Sequence, residues 1–293
     1  MKTIKKYFHD DYLFSFFNSI LLILFTIIIA VPVWNVVASS FATSEVIAKG
    51  NYILFPQELT LNNYRAVLKD ETIFRAFIIS ILKTIIGMFT HVFFTALFAY
   101  PLSKHYLKGK SIYKSIGIGT MFFSGGLVPT YLLIRSLGLL DSFWVYIIPS
   151  MFTYYAAIIL MNFYRDIPAS LEESAMLDGA SHWQIFSKIY LPLSKPALAT
   201  IGMWHAVYQW NDFFTAKLYI SREELYPLQM KLYEIIVNSQ TRSLKDFSFD
   251  AAATTTKGVQ LATIVITALP IVIIYPLFQK YFISGAMSGS IKE

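Results

Sequence analysis

Hydrophobic positions along these 293 residues gather into long blocks separated by polar connections. A membrane span needs about 20 mostly apolar residues, and six blocks qualify: 13–38, 74–101, 112–134, 143–163, 197–220 and 259–282. The pattern predicts an all-α membrane protein with six transmembrane helices. It comprises a tail at 1–12, a single transmembrane domain over 13–282 and a second tail at 283–293. Gly125-Gly126 and Pro129 interrupt the third block, which can be a span followed by a short re-entrant or interfacial helix. Longer polar connections run over 39–73 and 221–258.

The connection at 164–196, between the fourth and fifth blocks, has a helical pattern of its own. It contains EESAMLDGASHWQIFSKIYLPLSKPA, from Glu172 to Ala197. Ser170, just after Pro168, is placed to cap a helix, with Glu172 and Glu173 in its first turn, where carboxylates complement the positive helix end. Ala175, Met176 and Gly179-Ala180 supply a small, apolar surface around a break at Gly179. Trp183, Phe186 and Ile189-Tyr190 then mark a second amphipathic segment that Pro192 should stop. Two readings fit: a helix lying on the lipid surface, or a docking surface for a soluble partner.

Composition supports the membrane assignment. The chain is 56% hydrophobic and 14% charged, with mean hydropathy +0.54, whereas soluble domains carry about 25% charged residues. A net charge of +6 would suggest nucleic acid in a soluble protein. Here the lysines are scattered beside apolar blocks, so no nucleic-acid partner is expected. No cysteine is present, which excludes disulfides and thiolate metal sites. The apolar run after Lys2, Lys5 and Lys6 is too long for a signal-peptide core and reads as an uncleaved span. Lys and Arg totals on the two sides nearly balance. The short segments carrying Lys2, Lys5, Lys6 and Lys104, Lys108, Lys110 favour cytoplasmic placement of both, and hence cytoplasmic termini.

The patterned connection also resembles the EAA signature of permease subunits in binding-protein-dependent ABC importers. That signature runs E-A-A, three residues, G, nine residues, then I-x-L-P. Glu173, Ser174, Ala175, Gly179, Ile189, Leu191 and Pro192 stand at those spacings, with Ser174 in place of the first alanine. The segments Pro129 to Trp144, Gln209 to Phe214 and the terminal QKYFISGAMSGSIKE look like the MalG-like branch of carbohydrate permeases, nearest to subunits serving complex oligosaccharides. The resemblance implies a type I importer permease (MetI-like) fold in a prokaryotic cytoplasmic membrane, with the loop and both termini cytoplasmic. It also implies that Glu172, Glu173, Ser174, Ala175, Met176, Asp178, Gly179 and Ala180 form the contact with a separate ATPase. The expected partners are a second homologous permease (a heterodimer), an ATPase dimer carrying ATP and Mg, an extracellular solute-binding protein, an oligosaccharide and membrane lipid. No phosphate-binding loop occurs in this chain, so the chain is read as a transport subunit, not an enzyme, with no cofactor, catalytic residue or metal site of its own.

Projection of the fifth block at about 100° per residue gathers Ile201, Trp204, His205, Tyr208, Asn211, Asp212, Thr215 and Tyr219 on one arc. Such an arc can line a solute path or pack within the bundle. Aromatic faces with amides and carboxylates suit sugars, and an intramembrane ionisable group such as Asp212 suggests function. Lys83 and His91 fall in the second block. A cation there would suit an acidic sugar on the path, or it would form an internal salt bridge, with Asp212 as one candidate partner. A permease for amino acids, polyamines or phosphonates and an ion-coupled secondary transporter remain as rival readings.

Overall fold

The computed structural model describes the backbone of residues 2–50, 52–56, 58–245 and 251–288, and side chains over 14–50, 52–56, 58–238, 257–274 and 276. The chain divides into two compact units: residues 1–70 with 235–267, and residues 71–234 with 268–293.

The first unit opens with α1 (Lys2–Ser40), then α2 (Ser44–Ala48) and α3 (Asn62–Lys69). Side chains from Phe14 to Val33 are exposed, and they are predominantly apolar, as expected of a helix solvated by lipid. Towards its C-terminal end, α1 meets a small core of Ala38, Ala42, Ile47 and Ile53. Asn63, buried beside it, donates to the carbonyls of Ser40 and Ala42 at 3.0 and 3.1 Å and fixes the turn between α1 and α3.

The second unit is built on α4 (Glu71–Ser103), α5 (Lys110–Phe122), α6 (Leu127–Ser136) and α7 (Tyr154–Arg165). It continues through α8 (Ala169–Leu177), α9 (His182–Ile185), α10 (Leu191–Leu193), α11 (Lys195–Asn211) and α12 (Phe214–Tyr219). Of the helices α13 (Leu228–Lys245) and α14 (Ala251–Ser288), residues 228–234 and 268–288 belong to this unit and the rest to the first. The core lies where α4, α7 and α11 meet, and includes Ala96, Ala99, Tyr100, Ala157, Leu160, Tyr164 and Ile201. Small residues on α4 and α7 let backbones approach, as in membrane helix pairs. The closest case is Gly117 of α5, where a Cβ would sit 2.1 Å from the Tyr154 ring.

The structure changes the span reading in two places. By length and composition, three described helices can cross a membrane: Phe14–Ser40, Glu71–Ser103 and Lys257–Ile274. The total is up to five if each bent pair counts as one span. One such pair is α5 and α6, bent by 115° at the predicted break, where Gly126 has φ +84°. Pro129, in the first turn of α6, does not break that helix. The block 143–163 holds short 3-10 turns before α7, with a bend of 48°. The expected span 197–220 is not one helix, because the backbone is extended at Asp212 (ψ 109°). Of the longer connections, residues 39–50, 52–56, 58–73, 221–245 and 251–258 are described, whereas 51, 57 and 246–250, like 289–293 of the second tail, lie outside the described residues.

Candidate functional site

The patterned loop folds as two helices around a glycine turn. α8 starts after Pro168, whose φ of −56° suits a helix entrance, so Ser170 lies inside the first turn and is not the cap. At its end the Ala180 N–H reaches the Ala175 carbonyl at 2.9 Å and the Gly179 N–H reaches that of Met176 at 3.0 Å. This is a Schellman ending, which needs a left-handed residue, and Gly179 supplies it at φ +80°. The next helix begins with a reciprocal capping box between Ser181 and Gln184, a contribution of roughly 1 kcal/mol. Ser-x-x-Gln was legible in the sequence as that signal. Pro192 does not stop the segment. A π-helical turn over Phe186–Tyr190 carries the chain into α10, and its wider ring accommodates a residue without an N–H.

The two faces of this loop differ. Glu173, Ser174, Met176, Asp178 and Gly179 are exposed, while Ala175 and Ala180 are half-buried against the core. Leu177, not singled out by pattern, is 89% exposed, and Trp183 also projects outward. Glu172 departs from the expected contact set because it is buried. Its carboxylate accepts from Lys104 Nζ at 2.5 Å, Tyr190 Oη at 2.7 Å and Tyr106 Oη at 3.2 Å. Burial alone would push this carboxyl up, but the three donors prevail and hold it below the usual carboxylate range. The inward side of the second segment buries Ile185, Phe186 and Tyr190 against Tyr100 and Tyr164.

A separate cavity of about 380 Å³ lies among α4, α7 and α11. It brings together His91, Trp204, His205 and Tyr208, four of the residues assigned to the solute path. The His91 and His205 rings stack at 3.9 Å with an interplanar angle of 1°. His91 Nδ1 faces the Ser150 carbonyl at 2.9 Å, and His205 Nε2 faces the Gln209 amide nitrogen at 3.3 Å. The Ser150 carbonyl, which can only accept, assigns Nδ1–H to His91. Pattern reading missed Tyr155, which stacks on Trp204 at 6.5 Å, and the lining residues Ser150 and Thr153. It also missed buried Gln209, which donates to the Tyr146 carbonyl and to Ser150 Oγ, each at 2.8 Å.

The other path residues lie elsewhere. Lys83 is fully buried and donates to the Asp212 carbonyl at 2.7 Å and to its carboxylate at 3.3 Å, with the Tyr146 ring 4.7 Å away. The salt-bridge alternative is therefore the one the structure contains. Asp212 also accepts from the Thr215 N–H at 3.1 Å, starting α12. Asn211 is exposed, bonding Val207 of its own helix and Gln229. The projected arc ends at Asn211 because the helix does, and Asp212 and Thr215 belong to the joint.

Residues 10–288 match the model for the "Binding-protein-dependent transport system inner membrane component" family. The chain belongs to this family. As a member of this permease family it is similar to protein LplC of Bacillus subtilis (strain 168), 41% identical over 261 residues, 89% of this chain and 88% of that protein. It is also similar to the polygalacturonan/rhamnogalacturonan transport system permease protein YtcP of the same organism, 39% identical over 272 residues, 92% of this chain and 95% of that protein. Among solved structures, a chain of a bacterial ABC transporter that imports the acidic polysaccharide alginate superposes with a TM-score of 0.84 at 33% identity. That match covers 93% of this chain and 98% of the other. The MetI-like permease fold expected from the sequence is thus the fold observed.

Proposed function

We propose that this permease carries an oligosaccharide through an ATP-driven importer, by alternating access, and is driven through the loop around Gly179. The observation that carries the proposal is the two-faced loop: α8 is tied inward at Glu172 and presents Glu173, Met176, Leu177 and Asp178 outward. A separate ATPase, holding ATP and Mg, meets that outward face, with Met176 and Leu177 as its apolar anchors. The loop and both termini are cytoplasmic, a second homologous permease completes the path, and an external binding protein delivers the solute.

The relative named for polygalacturonan/rhamnogalacturonan transport and the solved alginate importer support a sugar as cargo, and so does the cavity. Trp204, Tyr155 and Tyr208 offer aromatic faces to pyranose C–H surfaces, while the imidazoles, Ser150 and Thr153 offer hydrogen bonds to hydroxyls. Among the described residues lining it there is no Lys or Arg. Lys83 is already paired with Asp212 and does not line this cavity.

The test is uptake into proteoliposomes holding this chain, its partner permease and the ATPase, with the binding protein and a panel of neutral and uronate oligosaccharides outside. Uptake of an oligosaccharide that requires ATP is the expected result. Uptake that proceeds without the ATPase would identify a secondary transporter instead.

A further inference from the structure

We infer that the Glu172–Lys104 pair is the strut that conveys displacement of α8 to the membrane helix α4, and that both are positioning residues for coupled transport. The inference rests on the reading of α8 as the surface that meets the ATPase. Lys104 is the residue immediately after α4. Its ammonium lies 2.5 Å from Glu172 Oε2 and over the rings of Tyr100 and Tyr190, at 4.3 and 3.7 Å. Tyr100 belongs to α4 itself, and Tyr190 to the π-turn that leads towards α11. One carboxylate on α8 thus holds the end of one membrane helix and the approach to another.

The end of α4 is itself braced. Lys110 Nζ donates to the carbonyls of Ser103 and Lys104 at 3.2 and 2.5 Å, satisfying groups a helix terminus leaves open. Displacement of Lys104 is therefore displacement of α4. Elsewhere α8 and the turn after it meet the core through the small side chains Ala175 and Ala180, and apolar contacts of that kind are non-directional. Charge-assisted bonds from three donors to one carboxylate are directional and resist both push and pull.

The experiment uses the assembled complex in proteoliposomes, with ATP hydrolysis and uptake of a transported oligosaccharide measured together. Glu172→Ala should leave complex assembly and hydrolysis in place while uptake per ATP falls by at least about fivefold, a typical coupling effect. Because the chain has no cysteine, Lys104→Cys/Glu172→Cys can be bridged by a short bifunctional thiol reagent. Bridging should restore uptake per ATP, and the unbridged pair should behave like Glu172→Ala. Unchanged uptake per ATP in Glu172→Ala overturns the inference. So does a fall in both activities in proportion to lost complex, which would mean the pair only holds the fold. Leu177→Ser separates the two readings: if assembly and hydrolysis ignore it, α8 does not meet the ATPase. If they respond while Glu172→Ala remains coupled, the strut alone fails.

Discussion

Lys83 of α4 and Asp212, at the break between α11 and α12, form a buried pair joined twice, through a carboxylate oxygen at 3.3 Å and a backbone carbonyl at 2.7 Å. Removing one member strands the other. Lys83→Met should lower stability by about 3–5 kcal/mol, whereas Lys83→Met/Asp212→Asn should recover most of that loss. Thermal unfolding of the four members of this cycle in detergent measures both, and equal losses in single and double variants would contradict the pairing.

Gly179 has open space where a side chain would begin, with no heavy atom of the other described residues, its two chain neighbours aside, within 4 Å of a Cβ placed there, so a substitution acts through its φ of +80° and not through a clash. Gly179→Val should cost about 1–2 kcal/mol at the turn and reduce ATP-dependent uptake with membrane insertion unchanged. Gly179→Asn, which tolerates the left-handed conformation, should retain most uptake.

At Gly117 the effect is steric. A methyl group directed at the Tyr154 ring overpacks the α5–α7 contact, and Gly117→Ala should destabilise by about 1–3 kcal/mol. Tyr154→Ala in the same chain should relieve part of it, visible as a partial recovery of the melting temperature.

Trp204→Ala and Tyr155→Ala each remove one face of the stacked pair lining the cavity. An aromatic contact is worth about 0.5–1.5 kcal/mol, so the concentration for half-maximal uptake should rise roughly two- to tenfold. An unchanged value in both would remove the cavity from the sugar path.

Glu172 sets a pH window. Its folded pKa is depressed, so the stabilisation it gives is present above the unfolded value of roughly 4.3 and is lost as pH falls through the lower folded value. Stability of the complex should therefore hold through mild acid and fall below the ordinary carboxylate range. In Glu172→Gln this part of the acid transition should be absent from a pH titration of the melting temperature.

Local chemistry carried much of this architecture into the sequence. Blocks of apolar residues marked the long helices, Gly125-Gly126 marked the bend between α5 and α6, and the Gly179 spacing marked the loop turn. What was not legible depends on partners distant in the chain. Glu172 looked like a first-turn helix residue, and nothing near it announces Lys104, Tyr106 and Tyr190 as donors. The arc on α11 was read beyond Asn211 because periodicity continues across a break it cannot sense. At that break the Asp212 carbonyl is met by Lys83, 129 positions away. Pro192 looked terminal because a helix of normal pitch would clash with its ring, and the π-turn avoids the clash.

The joint at Asp212 has an electrical consequence. A helix carries partial negative charge at its C-terminal end and partial positive charge at its N-terminal end, and α11 ends where α12 begins. Lys83 answers the first through the Asp212 carbonyl, and the Asp212 carboxylate answers the second through the Thr215 N–H. Moving an elementary charge through the membrane field takes about 2.3 kcal/mol per 100 mV, but this assembly of opposite charges sums to zero. A displacement of this pair as one unit carries no net charge through that field.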